Sequence, residues 1–164
     1  MRTHIILRFS FIMMMFSVSL YAQNKKMPSV TLTDLNGSKV NTTDYIKAGK
    51  IYVIDFWATW SQQSKKALEN MRGLSDDWAK DYNAEIVAVS IDDKQSIAKV
   101  QSQGGNFPYA ILLDPNQDLV HALNFKSIPC IVIVDKNGTV VFSHSGYQDG
   151  DELAIEEQLK QLSK

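Results

Sequence analysis

Two almost uninterrupted apolar runs, joined by a helical pattern, constrain the fold of this chain more than any other feature. The first run lies between Lys50 and Trp57, and the second lies between Glu85 and Ile91. Strands of this composition are typically buried on both faces, as in parallel sheets. From Leu68 to Tyr82 apolar residues recur at steps of three and four, which predicts one amphipathic helix packed on the sheet. We therefore expect an α/β fold with parallel central strands.

Turn signals place hairpins near both ends of this core. Residues 30–33 alternate as a half-buried strand does, and the Asn36-Gly37 pair that follows predicts a tight N-terminal hairpin. Residues 131–134 and 139–142 flank Asp135-Lys136-Asn137-Gly138, which predicts a second antiparallel hairpin. The expected order is therefore a mixed sheet whose parallel centre continues into an antiparallel edge.

The remaining elements are predicted with shorter patterns. We expect a helix over 96–103, a strand over 109–113 and a helical turn or two over 118–125. A final helix is predicted from Asp151 to about Leu162, with Leu153, Ile155 and Leu159 facing inward. Helices and strands then alternate along the chain, as layered α/β folds require.

The first 22 residues read as an export signal. Arg2 and Arg8 form a basic start, an apolar run extends from Phe9 to Leu20, and Ala22 is a small residue suited to cleavage. The apolar run is shorter than the roughly 20 residues of a membrane-spanning helix, so we expect no stable span after cleavage. Residues 23–164 then form one domain that is periplasmic or secreted, and a retained signal that anchors the protein to the membrane is the alternative.

Charge and cysteine content limit the function classes. Without the signal, 15 basic and 18 acidic residues leave a net charge of −3, which offers no basic excess for nucleic acid. Cys130 is the only cysteine, so an intramolecular disulfide is impossible. His121 and His144, with this one cysteine, show no metal-ligand spacing, and we expect no metal or other cofactor.

The segment from Ile54 to Ser64, with sequence IDFWATWSQQS, carries the functional signal. It resembles the redox site of thioredoxin-like proteins, in which an apolar strand leads through Trp-Ala-x-Trp into a Cys-x-x-Cys motif at a helix start. Ser61 and Ser64 stand at the two cysteine positions. The N-terminal hairpin and the helix-strand-helix insertion before Ile128 resemble the TlpA/ResA branch and its peroxiredoxin relatives of the AhpC/TSA type. This resemblance implies a thioredoxin-like fold over the whole mature chain.

The same resemblance assigns roles to residues around the motif. It implies a cis peptide bond at Ile128-Pro129, with the Ile128 backbone pairing with an extended segment of substrate. Trp57 and Trp60 resemble the aromatic surround of the family's binding groove; alternatively, they complete the edge of the core. These four residues are the candidate substrate-binding set.

Asp55 and the two serines bear on the chemistry. The resemblance implies that a buried acid at the position of Asp55 assists proton transfer to the second cysteine, and burial would raise its pKa. With Ser64 there instead, we expect Asp55 to hydrogen-bond a local polar group or reach water. A serine hydroxyl stays protonated and forms no disulfide, but serine is among the best N-cap residues, so the helix start should survive.

Two functions remain open from the sequence. The first is an exported interaction module that has lost disulfide exchange and binds an extracytoplasmic protein or peptide segment. The second is a thiol-disulfide oxidoreductase that works through Cys130 alone, although a free cysteine opening an apolar strand is more often a small buried hydrophobe. A serine hydrolase is disfavoured because no Gly-x-Ser-x-Gly elbow is present, so neither Ser61 nor Ser64 is assigned as a catalytic residue.

Overall fold

A computed structural model describes residues 25–164, so the expected export signal over residues 1–22 lies outside the described residues. The strands are β1 (Lys25–Lys26), β2 (Thr31–Asp34), β3 (Lys39–Asn41), β4 (Ile51–Trp57), β5 (Ala84–Ser90), β6 (Ala110–Leu113), β7 (Cys130–Val134) and β8 (Thr139–Ser145). The α-helices are α1 (Thr42–Tyr45), α2 (Gln62–Arg72), α3 (Ser75–Tyr82), α4 (Ile97–Gly104), α5 (Asp118–Leu123) and α6 (Asp151–Ser163), and a 3-10 turn, Lys94–Ser96, precedes α4.

The strands form one mixed sheet in the order β1-β8-β7-β4-β5-β6-β2-β3. The central strands β4, β5 and β6 run parallel to one another, whereas β7 runs antiparallel to β4 and β8 antiparallel to β7. The predicted parallel centre with antiparallel neighbours is confirmed. Every residue of β4 is buried, as its apolar run predicted.

Helices cover both faces of this sheet because the β4 side chains alternate between two apolar clusters. Ile51, Val53 and Trp57 belong to a cluster with residues of α2, α3, α4 and α6. Tyr52, Ile54 and Phe56 belong to a second cluster, with residues of α5 and the flanking part of α1. The chain is thus an α/β/α sandwich, and the sheet has little exposed face on which to place a site.

Both predicted hairpins are present. Gly37 supplies the positive φ of the first turn, at 86°, and Gly138 supplies that of the second, at 74°. Asp34 accepts the amide N-H of Ser38 at 2.8 Å, and Asp135 accepts that of Thr139 at the same distance. The predicted helix-strand-helix insertion is also confirmed: α4, β6 and α5 follow β5 and precede β7 along the chain.

The single helix predicted through Leu68 and Tyr82 is wrong, because the helix breaks at Gly73 and Leu74 into α2 and α3. Glycine in a helix interior costs about 1 kcal/mol relative to alanine, so Gly73 is a weak point in the pattern. The apolar stripe nevertheless serves its expected purpose, since Leu68 and Trp78 lie on either side of the break in one core cluster.

The last helix differs from prediction in one side chain. Ile155 and Leu159 are buried as expected, but Leu153 is 71% exposed. Residues two apart on a helix point about 200° apart, so Leu153 and Ile155 cannot share a face. The short elements α1 and β1 were not predicted, since two to four residues carry no clear period.

Candidate functional site

The topology brings the serine motif and the proline loop to one end of the sheet. The motif follows the last residue of β4, and Phe56 of β4 lies opposite Cys130, the first residue of the antiparallel strand β7. Ile128 and Pro129 therefore lie beside the Trp57–Ser61 turn. The peptide bond between them is cis, which confirms that prediction.

A buried carboxylate holds the turn that precedes the serines. Asp92 lies just beyond β5 and accepts the amide N-H of Thr59 at 2.8 Å and its hydroxyl at 2.7 Å. Ser90 donates its hydroxyl to the same carboxylate at 2.9 Å. Asp92 is only 4% exposed, so these three donors stand in for the water that it has lost.

Asp92 is a site residue that the sequence analysis missed. The available signal was its place after a buried strand that runs parallel to β4, since the carboxyl ends of parallel strands meet at one edge. An acid at that edge is well placed to bind the turn after the neighbouring strand. A backbone hydrogen bond also joins the ends of β4 and β5, because the Ile91 amide N-H donates to the Trp57 carbonyl at 2.9 Å.

The two serines form a closed hydroxyl pair at the start of α2. Ser61 is the N-cap, and its Oγ accepts the Ser64 amide N-H at 3.2 Å and the Ser64 hydroxyl at 2.8 Å. The predicted helix start is confirmed. Ser64 is buried, whereas Ser61 is partly exposed. Among the described residues no imidazole, amine or carboxylate hydrogen-bonds either hydroxyl, so nothing in this arrangement activates a serine as a nucleophile.

Asp55 is isolated beneath this pair. It lies between Ala88 of β5 and Ile131 of β7, is fully buried, and has no hydrogen-bond partner for either carboxylate oxygen among the described residues. Burial withholds the hydration that the ionised form needs and raises the pKa of Asp55 well above its ordinary value. The expectation of a local hydrogen bond or of access to water is therefore wrong, because the flanking strand residues are apolar and Ser64 donates to Ser61 instead.

The two tryptophans of the motif lie in opposite environments. Trp60 is 66% exposed on the turn, in keeping with the expected aromatic surface. Trp57 is completely buried and packs near Gly104 of α4, where an added Cβ would lie 3.3 Å from its ring. Trp57 is the last residue of β4 and points into a core cluster, so the structure corrects its assignment: it is a core residue with no surface to offer a partner.

Pro129 and Ile128 form the other side of the turn. Pro129 is buried and Ile128 is partly buried. The carbonyl of Pro129 accepts the amide N-H of Gly146 at 2.8 Å, which ties this loop to the segment that follows β8. The exposed ring of Trp60, the Ser61 hydroxyl and the Ile128-Pro129 segment are therefore gathered at one end of the molecule.

Cys130 is buried next to this loop. It is 0% exposed and pairs with Phe56 on one side and Ser145 on the other. Burial raises the pKa of the Cys130 thiol to about 11, and hydrogen bonds from Ser145 and Ser143 only partly oppose that shift. Reactive cysteines are partly exposed and have a lowered pKa, so Cys130 has the character of a buried structural cysteine.

A surface cavity of about 490 Å³ lies at the other end of the sheet, where β4 and β5 begin. Glu85 lines it and accepts bonds from Tyr45 Oη and Lys50 Nζ, both at 2.8 Å. A strand of the length of β4 spans roughly 20 Å, so this cavity is separate from the serine pair.

Residues 25–164 contain no group of three or more His, Cys, Asp or Glu residues arranged to hold a metal ion. Over that same range, no helix combines the length and apolarity needed to cross a membrane.

Comparison with known proteins finds relatives of this chain among thiol-disulfide oxidoreductases. Residues 23–143 match the model of the AhpC/TSA family. The thiol-disulfide oxidoreductase ResA of Bacillus anthracis is 30% identical over 131 residues, which cover 79% of this chain and 73% of that protein.

Two solved structures are also similar to this chain. A thioredoxin-like protein from Porphyromonas gingivalis is 34% identical and has a TM-score of 0.72, with 87% of this chain and 93% of that chain covered. A candidate thiol:disulfide interchange protein DsbE from Chlorobium tepidum has a TM-score of 0.74 at 24% identity, with 86% and 97% covered, and shares the fold.

Proposed function

Because the chain belongs to the AhpC/TSA family and adopts a thioredoxin-like fold, related to the ResA thiol-disulfide oxidoreductases, we propose that it binds protein segments without exchanging disulfides. The surface proposed for this binding consists of Trp60, Ser61 and Ile128, with the buried Pro129 behind it, and is called the recognition face below. The partner would be an extracytoplasmic protein or an extended peptide segment.

The observation that carries this proposal is the serine pair at the start of α2. The frame that positions a redox motif is complete, with a capped helix, a turn held by Asp92 and a cis-proline loop. The two side chains at the reactive positions are hydroxyls, which cannot form or break a disulfide under physiological conditions. A retained frame without thiols suits recognition better than electron transfer.

The hydrogen bonds of the serines support a role in contact. Ser64 donates to Ser61, so the hydroxyl hydrogen of the partly exposed Ser61 is free to bond a carbonyl of a bound segment. Trp60 adds a broad apolar surface, and tryptophan is enriched at the centres of protein interfaces. Cys130, buried and with a raised pKa, gives little support to the alternative of a one-thiol oxidoreductase.

Insulin reduction by the protein lacking residues 1–22 tests the loss of redox chemistry. We expect no turnover above the rate with dithiothreitol alone, because the chain has no thiol pair. The double substitution Ser61→Cys and Ser64→Cys should restore activity, because the frame that holds the motif is intact. Turnover by the unaltered protein comparable to that of the double variant would refute the proposal.

Partner binding is tested by site-specific photo-crosslinking in cells of the source organism. A photo-reactive amino acid at position 60 should capture a discrete extracytoplasmic protein, whereas the same group at Lys80 of α3, on the opposite end of the sheet, should not. Equal labelling patterns from the two positions would show that the recognition face has no specific partner.

The cellular location is part of the same proposal. We propose that residues 1–22 direct export and are removed, which leaves a periplasmic or secreted protein. Mass determination of the protein from the cell envelope should give a chain that begins near Gln23. An intact N-terminus in the membrane fraction would favour the anchored alternative.

A further inference from the structure

Gln63 is one of the two residues between the serines, and its side chain crosses to a distant part of the chain. Its Nε2 donates to the carbonyl of Tyr147 at 2.7 Å, over a sequence separation of 84 residues. Its neighbour Gln62 is exposed to solvent, as Gln63 is, but makes no side-chain hydrogen bond among the described residues. The two glutamines, alike in sequence, therefore differ in their contacts.

The segment that Gln63 reaches, residues 146–150, lies against the proline loop. Gly146, next to Tyr147, donates its amide N-H to Pro129 at 2.8 Å. Two consecutive hydrogen bonds therefore lead from the first turn of α2 through the Gly146-Tyr147 backbone to Pro129. They connect the two sides of the recognition face at its rim, whereas the sheet connects them below.

Other contacts hold the Tyr147 side chain but not its carbonyl. The Tyr147 hydroxyl accepts a bond from Asn70 Nδ2 at 2.5 Å and donates to Glu152. Lys66 Nζ lies 2.8 Å from Asp149 Oδ2, but both side chains are more than half exposed, and exposed ion pairs contribute little. The Gln63 amide is thus the contact from α2 that positions the Tyr147 carbonyl.

We propose that Gln63 is a positioning residue that ties α2 to the 146–150 segment and fixes the width of the recognition face. This inference rests on the proposed function for its purpose, but the link itself is independent of any partner. A face held at one width is preorganised, so a bound segment would meet it without first having to order the loop.

Hydrogen exchange of single amides in Gln63→Glu, with Gln62→Glu as the control, tests the proposal. Each variant adds one negative charge to the first turn of α2, which contains no acidic residue, and a charge there favours the helix. Only Gln63→Glu replaces the donor with a carboxylate that faces a carbonyl oxygen. We expect the Gly146, Gln148 and Gly150 amides to exchange about three- to tenfold faster in Gln63→Glu than in Gln62→Glu.

The two variants also separate positioning from general stability. Both variants place a negative charge where it favours α2. If Gln63 acted only through the stability of that helix, amide exchange in the 146–150 segment would therefore be unchanged or slower in both variants. Gln63→Lys, which keeps an N-H donor on a long side chain, should return loop exchange to within about twofold of the original protein.

Equal loop exchange in Gln63→Glu and Gln62→Glu would overturn the proposal, as would failure of Gln63→Lys to slow the exchange. Exchange is measured on the protein alone. Absence of a crosslinked partner would therefore refute the proposed function and leave the link between α2 and the loop standing.

Discussion

Asp55 lowers the free energy of unfolding through two separate effects, each of which is a cost of burying its carboxyl group. Substitution by asparagine and by valine distinguishes the two. The first cost is burial of a polar group without a partner, since neither oxygen is bonded among the described residues. The second is electrostatic, because burial raises the pKa of Asp55 above its value in the unfolded chain. Asparagine removes the ionisation but keeps a polar group, whereas valine removes both.

The electrostatic cost depends on pH in a definite direction. An unfolded aspartate ionises near pH 3.9, and the folded carboxyl keeps its proton to higher pH. Between the two pKa values the folded state binds more protons, so the free energy of unfolding falls by about 1.4 kcal/mol for each unit of rising pH. Below about pH 3.9 both states are protonated and this cost vanishes.

Urea unfolding of the three proteins at pH 4, 5, 6 and 7 measures both costs. We expect Asp55→Asn to match the original protein near pH 4 and to become progressively more stable than it as pH rises. Asp55→Val should exceed Asp55→Asn by about 1–3 kcal/mol at every pH, the usual cost of an unsatisfied buried polar group.

Comparison with Asp55→Asn cancels the contributions of all other carboxylates, which are common to both proteins. If the stability difference between them does not change from pH 4 to pH 7, the carboxyl is hydrated or bonded and the reasoning is wrong. If the Asp55→Val protein is no more stable than the Asp55→Asn protein, the missing hydrogen bonds do not lower the free energy of unfolding.

Asp92→Asn should lower the free energy of unfolding by about 1.5–3 kcal/mol in urea titrations, because an amide nitrogen cannot accept the bonds that Thr59 and Ser90 donate. The exposed Asp81→Asn is the control, and an equal effect there would exclude a special role for Asp92. A maleimide should label Cys130 only at the rate of unfolding, since a pKa of about 11 leaves roughly one thiol in ten thousand ionised at pH 7. Rapid labelling of the folded protein, close to the rate in urea, would instead favour the one-thiol alternative.

The central elements were predictable because their signals are local. The apolar run of β4 and the Asn-Gly turns each determine a conformation through neighbouring residues alone. The helix start at Ser61 was predictable for the same reason, since a capping hydroxyl bonds an amide within its own first turn. The break at Gly73 was missed because the apolar stripe continues across it.

Burial in the site was not predictable to the same degree. Trp57 and Trp60 are three residues apart in one motif, yet one ring is in the core and the other is mostly in solvent. The difference depends on where β4 ends and on α4, which covers the face of the sheet from which Trp57 projects. Asp92 and Tyr147 were missed as partners of the motif because their contacts depend on segments brought together by the sheet.

By itself, the sequence determined that this protein has a single cysteine and that serines occupy positions 61 and 64. Those are covalent facts, and no folding can add a second thiol. Only the tertiary structure decided that Asp55 has no hydrogen-bond partner within residues 25–164, that Cys130 is inaccessible and that Gln63 reaches Tyr147. The reason is physical: hydration, pKa and hydrogen-bond partners depend on atoms from distant segments, and those atoms meet only when the sheet and its helices are assembled.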